Sequence, residues 1–363
     1  MAKRNSFTKI AVSVAAAALM LTTAPTMSAA QTAAASSSKQ KTPARAATSS
    51  TTAKKKAYSA STARARRATL ARARAATRAR ELKELQTPRF RVDEFGREVP
   101  DVRAEAAIIY NPETGEVLWE NHSKDQRSMA SITKVMTALV FLESNTPLGT
   151  EVTVQRSDVA RASTTYLRNG FKLPAEDLLN LLLVGSDNAA ARALARVSNL
   201  GYDPFIQRMN EKARELGLES TVYADPSGLL AANLSSAYDL ARLIAYAAAD
   251  ERISAIMRKT SFTTSTGKRV ITANSTNQIV RSGDIDVVGG KTGFISSSGY
   301  CLATLLRLPQ SGQQVAFVVL GAKSNASRFW ETRHLFNWMA SRTKALLEGD
   351  FQQPHQEQQQ HQQ

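Results

Sequence analysis

The 363-residue chain contains one cysteine, Cys301, and four histidines. A single thiol excludes an intrachain disulfide. Within the apolar run Tyr300-Cys301-Leu302-Ala303 it reads as a buried structural group rather than a reactive one. Only His122 and His334 lie in the part of the chain able to fold, and neither sits in an element that suggests a site. A Ser-His-Asp hydrolase is therefore disfavoured, no cluster has metal-ligand spacing, and no metal or cofactor is expected. Long apolar runs are missing as well. Ile10 to Leu21 is too short for an ordinary transmembrane helix, and no later segment reaches the ~20 apolar residues a span needs. Lys3, Arg4 and Lys9 precede that run and Ser28-Ala29-Ala30 follows it, so residues 1–30 read as a secretory signal, with an uncleaved anchor as the minority alternative. A periplasmic or secreted location is expected.

Acidic residues are scarce over one stretch only. Residues 31–92 carry sixteen Lys/Arg against Glu81 and Glu84, which accounts for most of the +16 formal charge. With the three basic residues of the signal set aside, residues 93–363 hold 28 basic and 29 acidic residues and are electrically balanced. The 31–92 stretch is built from Ala, Ser, Thr, Lys and Arg; it cannot bury a core and is expected to be disordered, with transient helix between Arg64 and Leu85. It reads either as a solvated spacer or as an electrostatic tether to anionic lipid or wall polymer. Nucleic acid, a polyanion of the same kind, is not an expected partner. The Gln-rich end, residues 350–363, is expected to be a second disordered tail.

Residues 93–349 are expected to form one domain. Ala106 to Tyr110 and Glu116 to Glu120 are strand-like about the turn Asn111-Pro112-Glu113-Thr114-Gly115. Ile132, Val135, Met136, Leu139 and Val140 are too dense for a surface helix, so the helix from Ser131 to Glu143 should be buried. Helices follow from Pro174 to Val184, from Asp203-Pro204 to Leu216, and from a Ser236/Asp239 capping box to Ala249. Strands return at Phe262–Ser265, Arg269–Ala273, Val287–Phe294, Gly299–Arg307 and Val315–Gly321, before a last helix from about Ala326 to Leu347. Strands at both ends with helices between predict an α+β fold: one antiparallel sheet flanked by helices, with a helical insert subdomain.

Three short elements carry chemistry: Ser131-Ile132-Thr133-Lys134, Ser186-Asp187-Asn188 and Lys291-Thr292-Gly293. Ser-x-x-Lys occurs six times, starting at Ser6, Ser36, Ser38, Ser131, Ser265 and Ser341. Only Ser131 opens a buried helix, where unpaired helix-start N–H groups and the positive helix end favour developing negative charge. Lys134, one turn on, projects from the same face. Burial beside another cation, for which Lys291 is the candidate, would lower its pKa to that of a general base.

The three elements in this order resemble the motif set of penicillin-binding proteins and serine β-lactamases. Ser128-Met129-Ala130-Ser131-Ile132-Thr133-Lys134, Asp225-Pro226-Ser227-Gly228-Leu229 and Lys291-Thr292-Gly293-Phe294 look specifically like low-molecular-mass D-alanyl-D-alanine peptidases. The short build is similar to the penicillin-binding-protein-7 kind of endopeptidase, with a carboxypeptidase as the alternative. A polyanion-binding envelope protein with a degenerate peptidase domain is the alternative of another class. The resemblance implies a penicillin-binding-protein/β-lactamase-like domain acting on peptidoglycan stem peptides and inhibited by β-lactams. Ser131 would be the nucleophile, Lys134 its general base and Ser186 a proton relay. Asn188 would hold the substrate amide, and Lys291 and Thr292 the substrate carboxylate. The N–H groups of Ser131 and Phe294 would form the oxyanion hole, and Gly293 would let the acyl chain lie against the strand. A class A β-lactamase would need a Glu-x-x-Leu-Asn element after Ser-Asp-Asn. Here Glu176-Asp177-Leu178-Leu179-Asn180 precedes it, inside an apolar helix. A penicillin target rather than a penicillin destroyer is expected.

Overall fold

The computed structural model describes residues 50–349, with side chains described from residue 60 onward. The expected signal (residues 1–30) and the Gln-rich end (350–363) lie outside the described residues. Two units divide at Thr69/Leu70. Within the 31–92 stretch, Ser50–Gln86 is a 37-residue helix, and Phe90–Val92 is a strand paired with Glu98–Pro100. The stretch lacks the apolar residues that a core needs, yet Ala, Arg, Lys, Leu and Glu are the best helix formers, so a missing core does not forbid a helix. From residue 60 to 86 every side chain but the half-buried Leu85 is exposed. Thr87-Pro88 ends the helix, and the strand Phe90–Val92 follows.

One five-stranded antiparallel sheet organises the domain, in the order Val287–Ile295, Gly299–Arg307, Gln314–Ala322, Ala106–Tyr110, Val117–Asn121. Both ends of the chain thus complete one sheet, as the strand pattern predicts. Successive side chains of a strand point to opposite faces. Val315, Phe317 and Val319 therefore pack with Phe329, Leu335, Phe336 and Met339 of the last helix, Asn325–Glu348. The intervening Ala316, Val318 and Leu320 join the other core, with the helices Thr133–Glu143, Ala175–Val184 and Ala237–Ala248. Cys301 belongs to that second core and is fully buried and free.

Three local differences have simple causes. The hairpin Ser261–Ser265/Val270–Asn274 forms as expected but stands as its own two-stranded sheet. At the start of Ala237–Ala248, Ser236 Oγ accepts from Asp239 N at 3.1 Å. The Asp239 carboxylate does not return the bond; it accepts from Ser220 N and Thr221 Oγ1, each at 2.8 Å, and so only half of the capping box forms. The helix Asn188–Val197 is an element that the sequence reading does not name; it buries Asn188, five alanines and Leu194.

Candidate active site

Ser131 lies in a single 3-10 turn, Ala130–Ile132, that leads into the buried helix Thr133–Glu143. The turn is tight: Ala130 has φ +48°, a left-handed conformation that costs a non-glycine residue energy and persists only when its surroundings impose it. Two glycines impose it. A Cβ on Gly228 would sit 2.0 Å from the Ala130 carbonyl oxygen, and one on Gly293 would sit 2.7 Å from that of Met129 and 3.3 Å from Ser131 N. The missing side chain of Gly293 therefore makes room for the turn that carries Ser131.

Lys134 is fully buried, and its Nζ lies 2.9 Å from Ser131 Oγ, 2.6 Å from Asn188 Oδ1 and 2.5 Å from the Ser227 carbonyl oxygen. Two of those partners can only accept. Asn188 Nδ2 donates to the Ala162 carbonyl at 2.6 Å, which turns its Oδ1 toward Lys134. A neutral amine has two N–H groups and one lone pair; the two carbonyls take the hydrogens, and the lone pair is left for the Ser131 hydroxyl, the one partner able to donate. Burial brings the Lys134 pKa down from 10.5 to about 7, against the opposing pull of Asp225 and Asp187. Desolvation is the main cause, Arg192 adds to the lowering, and Lys134 and Lys291 repel each other. Both ends of the Asn188 amide are engaged within the protein, with a second Nδ2 contact to Ser163 Oγ at 3.4 Å, so in this geometry Asn188 orients Lys134.

Facing this pair is a second one. Ser186 follows the break at Gly185 and has φ +59°. Its Oγ accepts from Lys291 Nζ at 2.8 Å, and the same ammonium donates to the Thr292 carbonyl at 3.0 Å. Burial, together with the positive charges of Lys134 and Arg328, holds Lys291 well below the ordinary lysine range. Asp187, between Ser186 and Asn188, caps the helix Asn188–Val197 through Ala190 N at 2.9 Å and ties down Tyr166 N at 2.6 Å. Thr292 Oγ1 donates to Thr276 Oγ1 at 2.6 Å. Of the other Ser-x-x-Lys serines, Ser265 and Ser341 are exposed on a hairpin and on the last helix; Ser6, Ser36 and Ser38 lie outside the described residues.

The two pairs open on one cleft of about 460 Å³, lined by Ser131, Ser186, Asn188, Thr292, Gly293 and Phe294. Ser163, Thr164, Leu229, Thr276, Ile295, Ser296 and Arg328 complete the lining, and the sequence motifs do not assign them a role. Arg328 comes from the last helix and donates to the carbonyls of Gly293 at 2.9 Å and Cys301 at 3.1 Å. Burial brings its pKa down to about 10. Nothing in the local sequence separates it from the other arginines of that helix. Phe294, about half exposed, stacks on Tyr300 with ring centroids 4.2 Å apart. No carboxylate lines the cleft; Glu176 is exposed on the first turn of Ala175–Val184. Among the described residues no group of three or more His, Cys, Asp or Glu is placed to hold a metal ion.

A profile of the D-alanyl-D-alanine carboxypeptidase family matches residues 93–324. The chain belongs to that family. Similar proteins include a D-alanyl-D-alanine endopeptidase of Haemophilus influenzae, 34% identical over 228 residues, which are 62% of this chain and 78% of that one. An Escherichia coli D-alanyl-D-alanine endopeptidase is 31% identical over 244 residues, 66% of this chain and 78% of that one. Among solved structures, the Streptomyces K15 DD-transpeptidase superposes with TM-score 0.62 at 29% identity, covering 66% of this chain and 97% of that one. The protein is thus a low-molecular-mass penicillin-binding protein of the serine D-alanyl-D-alanine peptidase family, with the α+β fold of that group.

Proposed function

We propose that this family member is an exported, periplasmic serine DD-peptidase that cuts D-alanyl–diaminopimelate cross-links of peptidoglycan through an acyl-enzyme on Ser131. The observation that carries this reading is the contact of Ser131 Oγ with a buried lysine whose two other partners only accept. Lys134 takes the Ser131 proton as Oγ bonds to the carbonyl carbon of the penultimate D-alanine. The resulting oxyanion lies against the N–H groups of Ser131 and Phe294, each such donor being worth ~3–4 kcal/mol. Ser186, held by Lys291, passes a proton to the leaving amine as the peptide bond breaks, and water then releases the acyl group. Lys291 and Thr292 receive the substrate carboxylate. Val287–Ile295 is an edge strand, so an extended stem peptide can lie along it without displacing a neighbour.

The endopeptidase form is supported by relatives of that name at 30–34% identity; a carboxypeptidase acting on uncross-linked stems is the second form, supported by relatives so named at 27–31%. The cleft offers no glutamate of the class A β-lactamase kind to activate water on a penicilloyl ester, so β-lactams should leave a long-lived acyl-enzyme. The exposed arginines along Ser50–Gln86, such as Arg72 and Arg78, favour a tether to anionic lipid or wall polymer as part of the same proposal. Intact Ser131–Lys134 and Ser186–Lys291 contacts argue against a polyanion-binding protein whose peptidase domain has decayed.

Covalent labelling with a fluorescent penicillin, compared between the protein and Ser131→Ala, tests the nucleophile: equal labelling in the variant refutes the assignment. Digestion of purified muropeptides then separates the two forms. Conversion of cross-linked dimers to monomers supports the endopeptidase, whereas release of D-alanine with dimers left intact supports the carboxypeptidase.

A further inference from the structure

Opposite Asn188, the general base is held by a loop that the three motifs do not contain. Asp225, buried and outside the cleft lining, accepts five hydrogen bonds. Its Oδ1 takes Ser227 N at 2.6 Å, Ser227 Oγ at 2.8 Å and Gly228 N at 2.7 Å. Its Oδ2 takes Leu230 N at 2.7 Å and Asn233 Nδ2 at 3.3 Å. With its N–H groups gathered on one carboxylate, the loop turns its carbonyls outward. The Ser227 carbonyl meets Lys134 Nζ at 2.5 Å, and the Pro226 carbonyl meets Thr137 Oγ1, one turn further along the same helix, at 2.6 Å. Gly228, at φ +77°, seats against the carbonyl of Ala130 beside the nucleophile. A single carboxylate therefore fixes the backbone that touches the base, the helix carrying the base and the turn carrying the nucleophile.

We propose that Asp225 is a positioning residue for acyl transfer, aiming the Lys134 lone pair at Ser131 through the Ser227 carbonyl while never touching substrate. The proposal rests on the reading of Lys134 as the general base. If the Ser227 carbonyl shifts, one N–H of the amine loses its acceptor and the amine is free to rotate away from the hydroxyl. Asp225 has a second, electrostatic effect. The charged groups acting on Lys134 are Asp225 and Asp187, which favour the ammonium, and Arg192, which disfavours it; Lys134 and Lys291 repel. Removing the Asp225 charge therefore makes Lys134 lose its proton more easily.

Geometry and charge act on different observables. In Asp225→Asn, Oδ1 can keep Ser227 and Gly228, while the new amide group faces Leu230 N, donor against donor. The acylation rate with fluorescent penicillin at saturating pH is expected to fall about 10- to 100-fold, as for a small misplacement of a reacting group. The acid limb of its pH profile is expected to move down by about one pH unit, as for loss of a nearby opposite charge. Loosening of the fold alone would admit water to Lys134 and leave that limb in place or move it up. An unmoved or raised limb in a folded D225N therefore overturns the proposal. Asp225→Glu keeps the charge and displaces the clamp: a lowered plateau with the wild-type limb supports it, and a wild-type plateau overturns it, including where D225N does not fold. Failure of the wild-type protein to label would instead refute the assignment of Ser131.

Discussion

The Lys134 environment makes the pH dependence of Ser131 acylation the sharpest quantity to measure. A lysine with a pKa near 10.5 would be neutral in only about three molecules in ten thousand at pH 7; one titrating at about 7 is neutral in roughly half. Burial thus raises the concentration of competent base about a thousandfold at neutral pH, equivalent to roughly 5 kcal/mol between the two protonation states. The perturbation is a change of pH from 5 to 9 at constant ionic strength. The assay is the second-order rate of covalent labelling by a fluorescent penicillin. Neutral Lys134 should make up ~90% at pH 8, ~10% at pH 6 and ~1% at pH 5, so the rate should plateau above pH 8 and fall tenfold per unit below about 6. The same burial has a thermodynamic sign. Because Lys134 in the fold binds fewer protons than in the unfolded chain between about pH 7 and 10.5, its contribution to stability improves as pH rises through that window. A labelling rate that is flat from pH 5.5 to 8, or that climbs only toward pH 10, would refute a buried Lys134 as the base.

Two further substitutions probe the scaffold. Gly293→Ala adds a Cβ 2.7 Å from the Met129 carbonyl oxygen, so the nucleophile turn or the strand must shift. Acylation should drop about 10- to 100-fold while urea unfolding loses only about 1–3 kcal/mol; a wild-type rate would mean that the turn does not set reactivity. Glu331 accepts from Ala104 N at 2.9 Å, and burial raises its pKa from 4.5 to about 7. Its stabilising effect is complete below pH 4.5 and lost as pH rises through 7, by up to about 3 kcal/mol. Glu331→Gln, which mimics the protonated form, should match the wild type in urea melts at pH 4.5 and exceed it at pH 8; equal stability at both would contradict a neutral buried Glu331.

The elements legible in the sequence are those whose evidence is local. The continuous apolar run Val315 to Leu320, buried on both faces of the sheet, and the dense apolar helix after Ser131 announce themselves, because the signal lies within a few residues. Asn188–Val197 is absent from the sequence reading although its pattern is amphipathic, with Leu194 and five alanines buried and Arg192 and Arg196 partly exposed. The 31–92 stretch misleads in the opposite way: its polarity rightly excludes a core, while its alanines and arginines still favour a helix. Arg328 and Asp225 are missed for a further reason. Arg328 acts on backbone carbonyls remote in sequence, 35 residues away in its pairing with Gly293, and Asp225, whose own partners lie within its loop, acts through a Ser227 carbonyl 93 residues from Lys134; no spacing rule covers such contacts.

By itself, the sequence determined the candidate groups and their order: a serine and lysine one helical turn apart, a second serine just after a helix break, and a lysine on a strand. Helix periodicity and turn chemistry act over a few residues, so these assignments need no tertiary information. Only the folded structure decided the reactivity. It packed Gly228 and Gly293 against Ala130 and Ser131, and it gave Lys134 two carbonyl acceptors from residues 54 and 93 positions away. It also removed water from both lysines, so that Lys134 titrates near neutrality. Desolvation is a property of everything that surrounds a group, and no motif of four residues can contain it.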